Sequence, residues 1–302
     1  PHILAPKVHW ERASGYFALE MFEESERELR AMPKEEPWDK NARMMLLGIR
    51  QEQGNWELVQ EIARGLRLEF PDEDAFIRTC EALVEAGHTV TEGSADNAKR
   101  RCVTAFATVV DPSGNTIELY WGRELDYTPL ISPQGVAGFV TSYQQTGDMG
   151  FGHLVLPAPD FDATSAFYTE IIGMGITDIL YPPGMEGAKI HFMHANNPRQ
   201  HSLALFNAPH PLGVVHIMIE VETMDELGRG MDRAKAAGAH FMATLGRHVN
   251  DNMCSVYLLA PGGIAVEFGY DGILIDPQTH VATVSTEGDL WGHEYSFPGV
   301  ED

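Results

Sequence analysis

Three ionisable side chains stand where strands bury apolar ones: His153 in GFGHLVL, His216 in GVVHIMIEV and Glu267 in IAVEFG. An ionised carboxylate inside such a run is costly unless it is paired or binds a metal. Two neutral imidazoles and one carboxylate are the donor set that holds a divalent first-row ion on one face and leaves the other positions open. Each histidine taken singly also fits a satisfied core residue. Their placement favours a shared task, because the two histidines open successive units and the glutamate closes the second. Further polar residues cluster nearby: His201 in RQHSLALF, and His248, Asn250, Asp251 and Tyr257 in GRHVNDNMCSVYLL. For Asn250 and Asp251 ordinary turn chemistry is an equally good account.

These residues need elements to position them. Residues 147–270 read as two strand–helix–strands units in succession. The first runs from GFGHLVL through the amphipathic AFYTEIIGM to AKIHFMHA and HSLALFNA. The second runs from VVHIMIEV through TMDELGRGMDRAKAAGAHF to the hairpin MCSVYLLAPGGIAVEFG. A related unit precedes them: AFIRTCEALVEAGHTVTEG gives helix, Gly turn and strand, and RCVTAFATVVDPSGNTIELYWG gives two strands across a DPSGN turn. Gly87 and Gly238 lie 151 residues apart, and Glu118 and Glu267 lie 149 apart, so the plan is duplicated within the chain. This order predicts an α+β fold of paired βαβββ modules with largely antiparallel sheets. Residues 1–72 read differently, as helices with apolar residues at three and four spacing through NWELVQEIARGLRLEF. Phe22 and Trp56 lie 34 residues apart, a spacing that resembles tetratricopeptide repeats; a plain helical pair fits nearly as well. The expected division is a helical segment over 1–72, one module over 73–135 and a two-module catalytic domain over 136–302.

The segment Gly246–Glu267 resembles the signature of type I extradiol catechol dioxygenases, members of the vicinal oxygen chelate superfamily. Gly246, His248, a spacer over 249–255, Val256, Tyr257, Ala260, Pro261, Gly263 and Glu267 fill its positions. The likeness extends through GFGHLVL, AFYTEIIGM, RQHSLALF, VVHIMIEV and WGHEY, over about residues 73–302, and is nearest to enzymes that open dihydroxybiphenyl and related catechols. It implies that His153, His216 and Glu267 bind Fe(II), with Mn(II) as the alternative ion. It implies that His201, His248 and Tyr257 are catalytic. His201, His248, Asn250, Asp251 and Tyr257 would contact the catechol, and O2 is the co-substrate. The product would be a ring-opened semialdehyde acid. The resemblance also implies four modules, and no counterpart of the first is visible in 1–72. Two other readings remain open: a glyoxalase-like isomerase of the same superfamily, and a metal-binding scaffold whose helical N-terminus recruits a partner.

The totals bound the rest. A net charge of −23 argues against nucleic acid and anionic membranes as partners. No apolar run is long enough to span a bilayer, and the opening PHILAPKVHW lacks the apolar stretch of a secretory leader. Cys80, Cys102 and Cys254 show no paired spacing, so reduced thiols and a cytoplasmic location are expected. Ile176, Ile179, Phe192, Met193 and the segment after Asp271 are candidate pocket residues, although core packing accounts for them as well. A homo-oligomer is left open.

Overall fold

The structure is a computed structural model that describes residue 13 and residues 65–124, 138–143 and 147–296. Residues 1–61 with 124–130 separate as one compact unit and residues 62–123 with 131–302 as another. The elements below belong to the second. The expected repeat-like helices lie outside the described residues, apart from their last stretch.

For residues 65–70 the helical reading is overturned. Gly65–Phe70 is a strand, β1, that pairs in parallel with β4 (Thr116–Trp121), from Gly65 opposite Thr116 to Phe70 opposite Trp121. In GLRLEF the apolar residues alternate with Arg67 and Glu69, a period of two that a neighbouring sheet edge can use. Leu68 and Phe70 pack on the core, while Arg67 donates to Glu118 at 2.6 Å across the pair. The module therefore starts at β1, earlier than expected. It continues with α1 (Glu73–Glu85), β2 (Thr91–Glu92), the short α2 (Ala95–Arg100) and β3 (Ala105–Val110), in the sheet order β1-β4-β3-β2. Asp72 caps α1 by accepting from the Ala75 amide at 2.7 Å. The predicted DPSGN turn is present: Asp111 Oδ1 accepts from the amides of Ser113 and Asn115, and Gly114 takes φ 89°.

The same plan recurs twice. β7 (Gly152–Pro157), α3 (Phe161–Ala166), β8 (Gly175–Leu180), β9 (Ile190–His194) and β10 (Leu203–Phe206) form the next module. α3 runs on into a widened π turn over Phe167–Ile172, which buries both Phe167 and Tyr168 before Gly173 ends it at φ 86°. β11 (His216–Val221), α4 (Met224–Ala236), β12 (Phe241–His248), β13 (Cys254–Leu259) and β14 (Ala265–Tyr270) form the last. In each module the first strand pairs in parallel with the last. The two first strands, β7 and β11, meet antiparallel and fuse both modules into one sheet, flanked by β15 (Thr283–Ser285) and β16 (Asp289–Trp291). The small β5 (Ser142–Tyr143) and β6 (Gly147–Asp148) pair with each other.

On the apolar face of the β1–β4 module, Val109, Ile117 and Leu119 are buried with Leu83 of α1 and with Leu154, Leu156, Phe161 and Phe167 of the following module. Polar contacts tie the same seam. Ser113 and Thr164 share a hydrogen bond of 2.6 Å, Asn115 donates to the Pro157 carbonyl, and the Tyr168 hydroxyl donates to Asp111 at 3.1 Å.

Candidate metal centre

Register brings the three strand residues together. His153 on β7 lies opposite Met218 on β11, and Val155 lies opposite His216. Residues two apart on a strand share a face, so both imidazoles project from one side of the sheet. Met218 also lies beside Glu267 on β14, and Glu267 faces Tyr257 on β13. One face thus carries His153, His216, Glu267 and Tyr257 across four adjacent strands.

The donor atoms converge. His153 Nε2 lies 3.1 Å from His216 Nε2 and 3.1 Å from Glu267 Oε2, and His216 Nε2 lies 3.3 Å from the same oxygen. Cis ligands each about 2.1 Å from a first-row ion lie about 3.0 Å from one another, so the triangle has the edge that facial coordination requires. Glu267 Oε2 is buried and lacks hydrogen-bond geometry to either imidazole, which leaves its lone pairs without a donor among the described residues. An isolated carboxylate is not stable in that position, and the observed donor set fits a divalent cation. Burial opposes ionisation of Glu267, but the imidazoles of His153, His216 and His248 hold its carboxyl well below the usual range. Burial also carries His153 down to about 4, so its ring is neutral, as a ligand must be.

His201 is buried beside this triangle, its ring centroid 4.0 Å from that of His153. Its Nδ1 donates to Gln200 Oε1 at 2.6 Å, and the Gln200 amide in turn donates to the Asn250 carbonyl. That chain fixes the tautomer and leaves Nε2 as a lone pair with no partner among the described residues. Burial, reinforced by the neighbouring His153, holds His201 well below the ordinary imidazole value. The ring of Phe192 closes on it edge-on at 4.8 Å. His248 Nε2 lies 2.8 Å from the Tyr257 hydroxyl and 3.3 Å from Glu267 Oε1. Burial alone would depress His248, yet hydrogen bonds to Asp289 and Glu267 carry it well above the ordinary value, so it donates. Burial raises the Tyr257 hydroxyl well above the usual phenol value, and nearby Glu267 adds to this.

The turn residues divide. Asp251 is buried, accepts from the Met253 amide at 2.9 Å and reaches within 3.7 Å of His201 Nδ1; burial raises it to about 6. Turn chemistry and proximity to the site therefore coexist in it. Asn250 contributes its main-chain carbonyl to the His201 chain. Of the proposed pocket residues, Phe192 faces His201, Met193 belongs to the core, and Ile273 and Leu274 line a small cavity of about 10 Å³ with His201, Asp251 and Met253. Several contributors escaped the sequence reading: Gln200, Ser255, Asp289, His293 and the buried Arg199–Glu220 pair at 2.7 Å. Gln200 adjoins a chosen histidine and His293 lies in the quoted WGHEY, but no spacing rule marks any of them.

Mixed modules whose first strands fuse into one sheet, with two histidines and a glutamate on its face, define a vicinal oxygen chelate protein. Residues 150–268 match the glyoxalase/bleomycin resistance protein/dioxygenase superfamily. The chain is 40% identical over 222 residues to an iron-dependent extradiol dioxygenase of Rhodococcus jostii (strain RHA1), covering 71% of this chain and 72% of that one. It is 35% identical over 230 residues to a biphenyl-2,3-diol 1,2-dioxygenase of Metapseudomonas furukawaii, covering 75% and 73%. The crystal structure of 2,2',3-trihydroxybiphenyl 1,2-dioxygenase from Sphingomonas wittichii strain RW1 superposes with a TM-score of 0.68 at 29% identity, over 77% of this chain and 79% of that one. The chain belongs to the extradiol catechol dioxygenases.

Proposed function

We propose that His153, His216 and Glu267 hold Fe(II) and that the enzyme opens the ring of an aryl-substituted or bicyclic catechol beside its diol, using O2, to give a semialdehyde acid. The observation that carries the metal site is the triangle of donor atoms with edges of 3.1, 3.1 and 3.3 Å. The substrate class rests on likeness to relatives named for biphenyl-2,3-diol and 2,2',3-trihydroxybiphenyl. When bound, the ion supplies Lewis acidity to a chelating catechol and a path for its electrons toward O2.

The chain's own residues move the protons. His201, neutral and free at Nε2, accepts a proton from a catechol hydroxyl and returns it to the oxygen that departs as the ring opens. His248 donates toward the Tyr257 oxygen, which leaves the Tyr257 hydroxyl proton for a substrate oxygen. Asn250 and Asp251 act behind His201, through Gln200 and by proximity. We assign residues 136–302 as the catalytic domain and the cytoplasm as the location, the latter on the lack of paired spacing among Cys80, Cys102 and Cys254. Among the described residues no helix is long and apolar enough to cross a membrane.

Anaerobic loading with Fe(II) or Mn(II), followed by 2,3-dihydroxybiphenyl and air, tests the proposal. A yellow ring-opened product with iron is the expected result, and Mn(II) as the better activator would reassign the ion. No ring opening with either ion refutes the function.

A further inference from the structure

The described structure holds a second convergent group next to the first, built from a segment that the family signature does not reach. After β15 the chain returns to the sheet and adds β16 along β12, with His248 opposite Asp289 and Arg247 opposite Trp291. It then bends sharply. Gly292 takes φ 77° and His293 φ 51°, a left-handed conformation costly for a residue other than glycine. The bend passes so close to β12 that a Cβ on Gly246 would lie 2.4 Å from the His293 ring, and one on Gly292 would lie 2.2 Å from the Leu245 carbonyl oxygen. The result is a buried His293, 4% exposed, pointing inward.

Hydrogen bonds account for that strain. Asp289 Oδ1 lies 2.8 Å from His248 Nδ1 and 2.6 Å from His293 Nδ1, and as a carboxylate it accepts from both. His293 Nε2 donates to the Ser255 carbonyl at 3.1 Å, and the Ser255 hydroxyl donates to Glu267 Oε1 at 2.7 Å. His248, Asp289 and His293 could also be read as a second cation site. The separations of 2.6 and 2.8 Å are hydrogen-bond lengths, shorter than the edges of the His153–His216–Glu267 triangle.

We infer that Asp289 and His293 are positioning residues: Asp289 orients His248 toward Tyr257, and His293 steadies the Ser255–Glu267 side of the metal centre. A carboxylate on the remote nitrogen of an imidazole fixes its tautomer and ring plane, and removing such a partner costs roughly 10–100-fold in activity or metal affinity. The inference rests on the proposed function for its kinetic consequence but not for its hydrogen bonds.

The test uses the full chain in two states. In the chelator-treated protein with 15N-labelled histidine, the two imidazole Nδ1–H groups should give far-downfield proton signals that Asp289→Asn abolishes. In the iron-loaded protein, Asp289→Asn should lower kcat per bound iron roughly 10–100-fold while KM stays within about twofold, and Asp289→Glu should recover part of the loss. His293→Gln, which spares the Asp289–His248 bond, should retain the His248 signal and lower kcat less. It carries the kinetic arm if Asp289→Asn does not fold. Signals that persist in Asp289→Asn, or full kcat per iron in the folded variants, overturn the inference; a fall in melting temperature with kcat per iron unchanged does so too. A parent that opens no ring would refute the function alone, and the hydrogen-bonded bracket would then stand or fall on the imidazole signals.

Discussion

Arg199 immediately precedes the Gln200–His201 pair, and replacing it with Met separates support from chemistry. Its guanidinium is buried, 3% exposed, and makes three contacts: to Glu220 at 2.7 Å, to the Met149 carbonyl at 2.9 Å and to the Val140 carbonyl at 2.6 Å. Glu220 is itself 5% exposed, and among the described residues its other oxygen accepts only from the Gly272 amide at 3.1 Å. Arg199→Met would leave this carboxylate buried beside one neutral donor and strip two carbonyls of theirs. Losing one partner of a buried pair costs about 3–5 kcal/mol. At ~2–4 °C per kcal/mol for a domain of this size, the melting temperature should fall by about 6–20 °C. Arg199→Met with Glu220→Leu removes the stranded charge and should recover only part of that fall, because the two carbonyls and the Gly272 amide stay unsatisfied at about 1–3 kcal/mol each. Denaturant unfolding followed by circular dichroism measures both variants, and metal analysis of the folded fraction should find iron retained in each. If the single variant lies within 1 kcal/mol of the parent, or if the double variant is less stable than the single, the desolvation argument is wrong.

Glu267→Ala should abolish activity and metal retention together, read by metal analysis after desalting. His201→Ala should keep its iron and slow ring opening by roughly 10²–10⁴-fold, whereas Tyr257→Phe removes one hydrogen bond and should cost less; turnover equal to the parent in the first would reduce His201 to a packing residue. Glu118 is half-buried, which opposes its ionisation, but Arg101 and Arg67 hold it below the usual carboxylate range. Its contribution to stability is therefore complete above the unfolded-state value and is lost as pH falls through the depressed folded value, and an acid titration of Glu118→Gln should show a shallower loss than the parent. Deleting residues 1–72 removes β1 and bares the edge of β4, so it should melt lower and aggregate more than a deletion of residues 1–61; equal stability of the two would contradict the pairing.

The convergence of His153, His216 and Glu267 was legible because these residues violate their surroundings. His153 and Glu267 are 2% and 0% exposed on apolar strands, and such a breach of pattern is visible without coordinates. The module plan was legible for a related reason: Gly87 and Gly238 both follow helices and take φ 89° and 70°, a punctuation that survives in the letters. GLRLEF was misread because Leu66 and Phe70 continue a spacing of four from Ile62, as a helix would, while Leu66, Leu68 and Phe70 also alternate as a strand, and only its neighbour β4 decides between them. Asp289 and His293 were invisible as a pair because their meeting with His248 depends on a chain return and a left-handed bend. Gln200 was overlooked for a simpler reason, since a glutamine beside a histidine has no pattern to break.

The two central strands carry a consequence for the enzyme's life when its metal is scarce. His153 comes from one module and His216 and Glu267 from the next, and the antiparallel seam of β7 and β11 is the join between them. An ion held there is a rivet across that seam as well as a reagent. At a hundredfold excess over its dissociation constant it would add about 2.7 kcal/mol to the folded state. Metal supply would then set the lifetime of the polypeptide along with its turnover: chains that lose their ion lose a fastening between modules and become the better substrate for proteolysis. Loss of the ion would thereby mark spent molecules for removal.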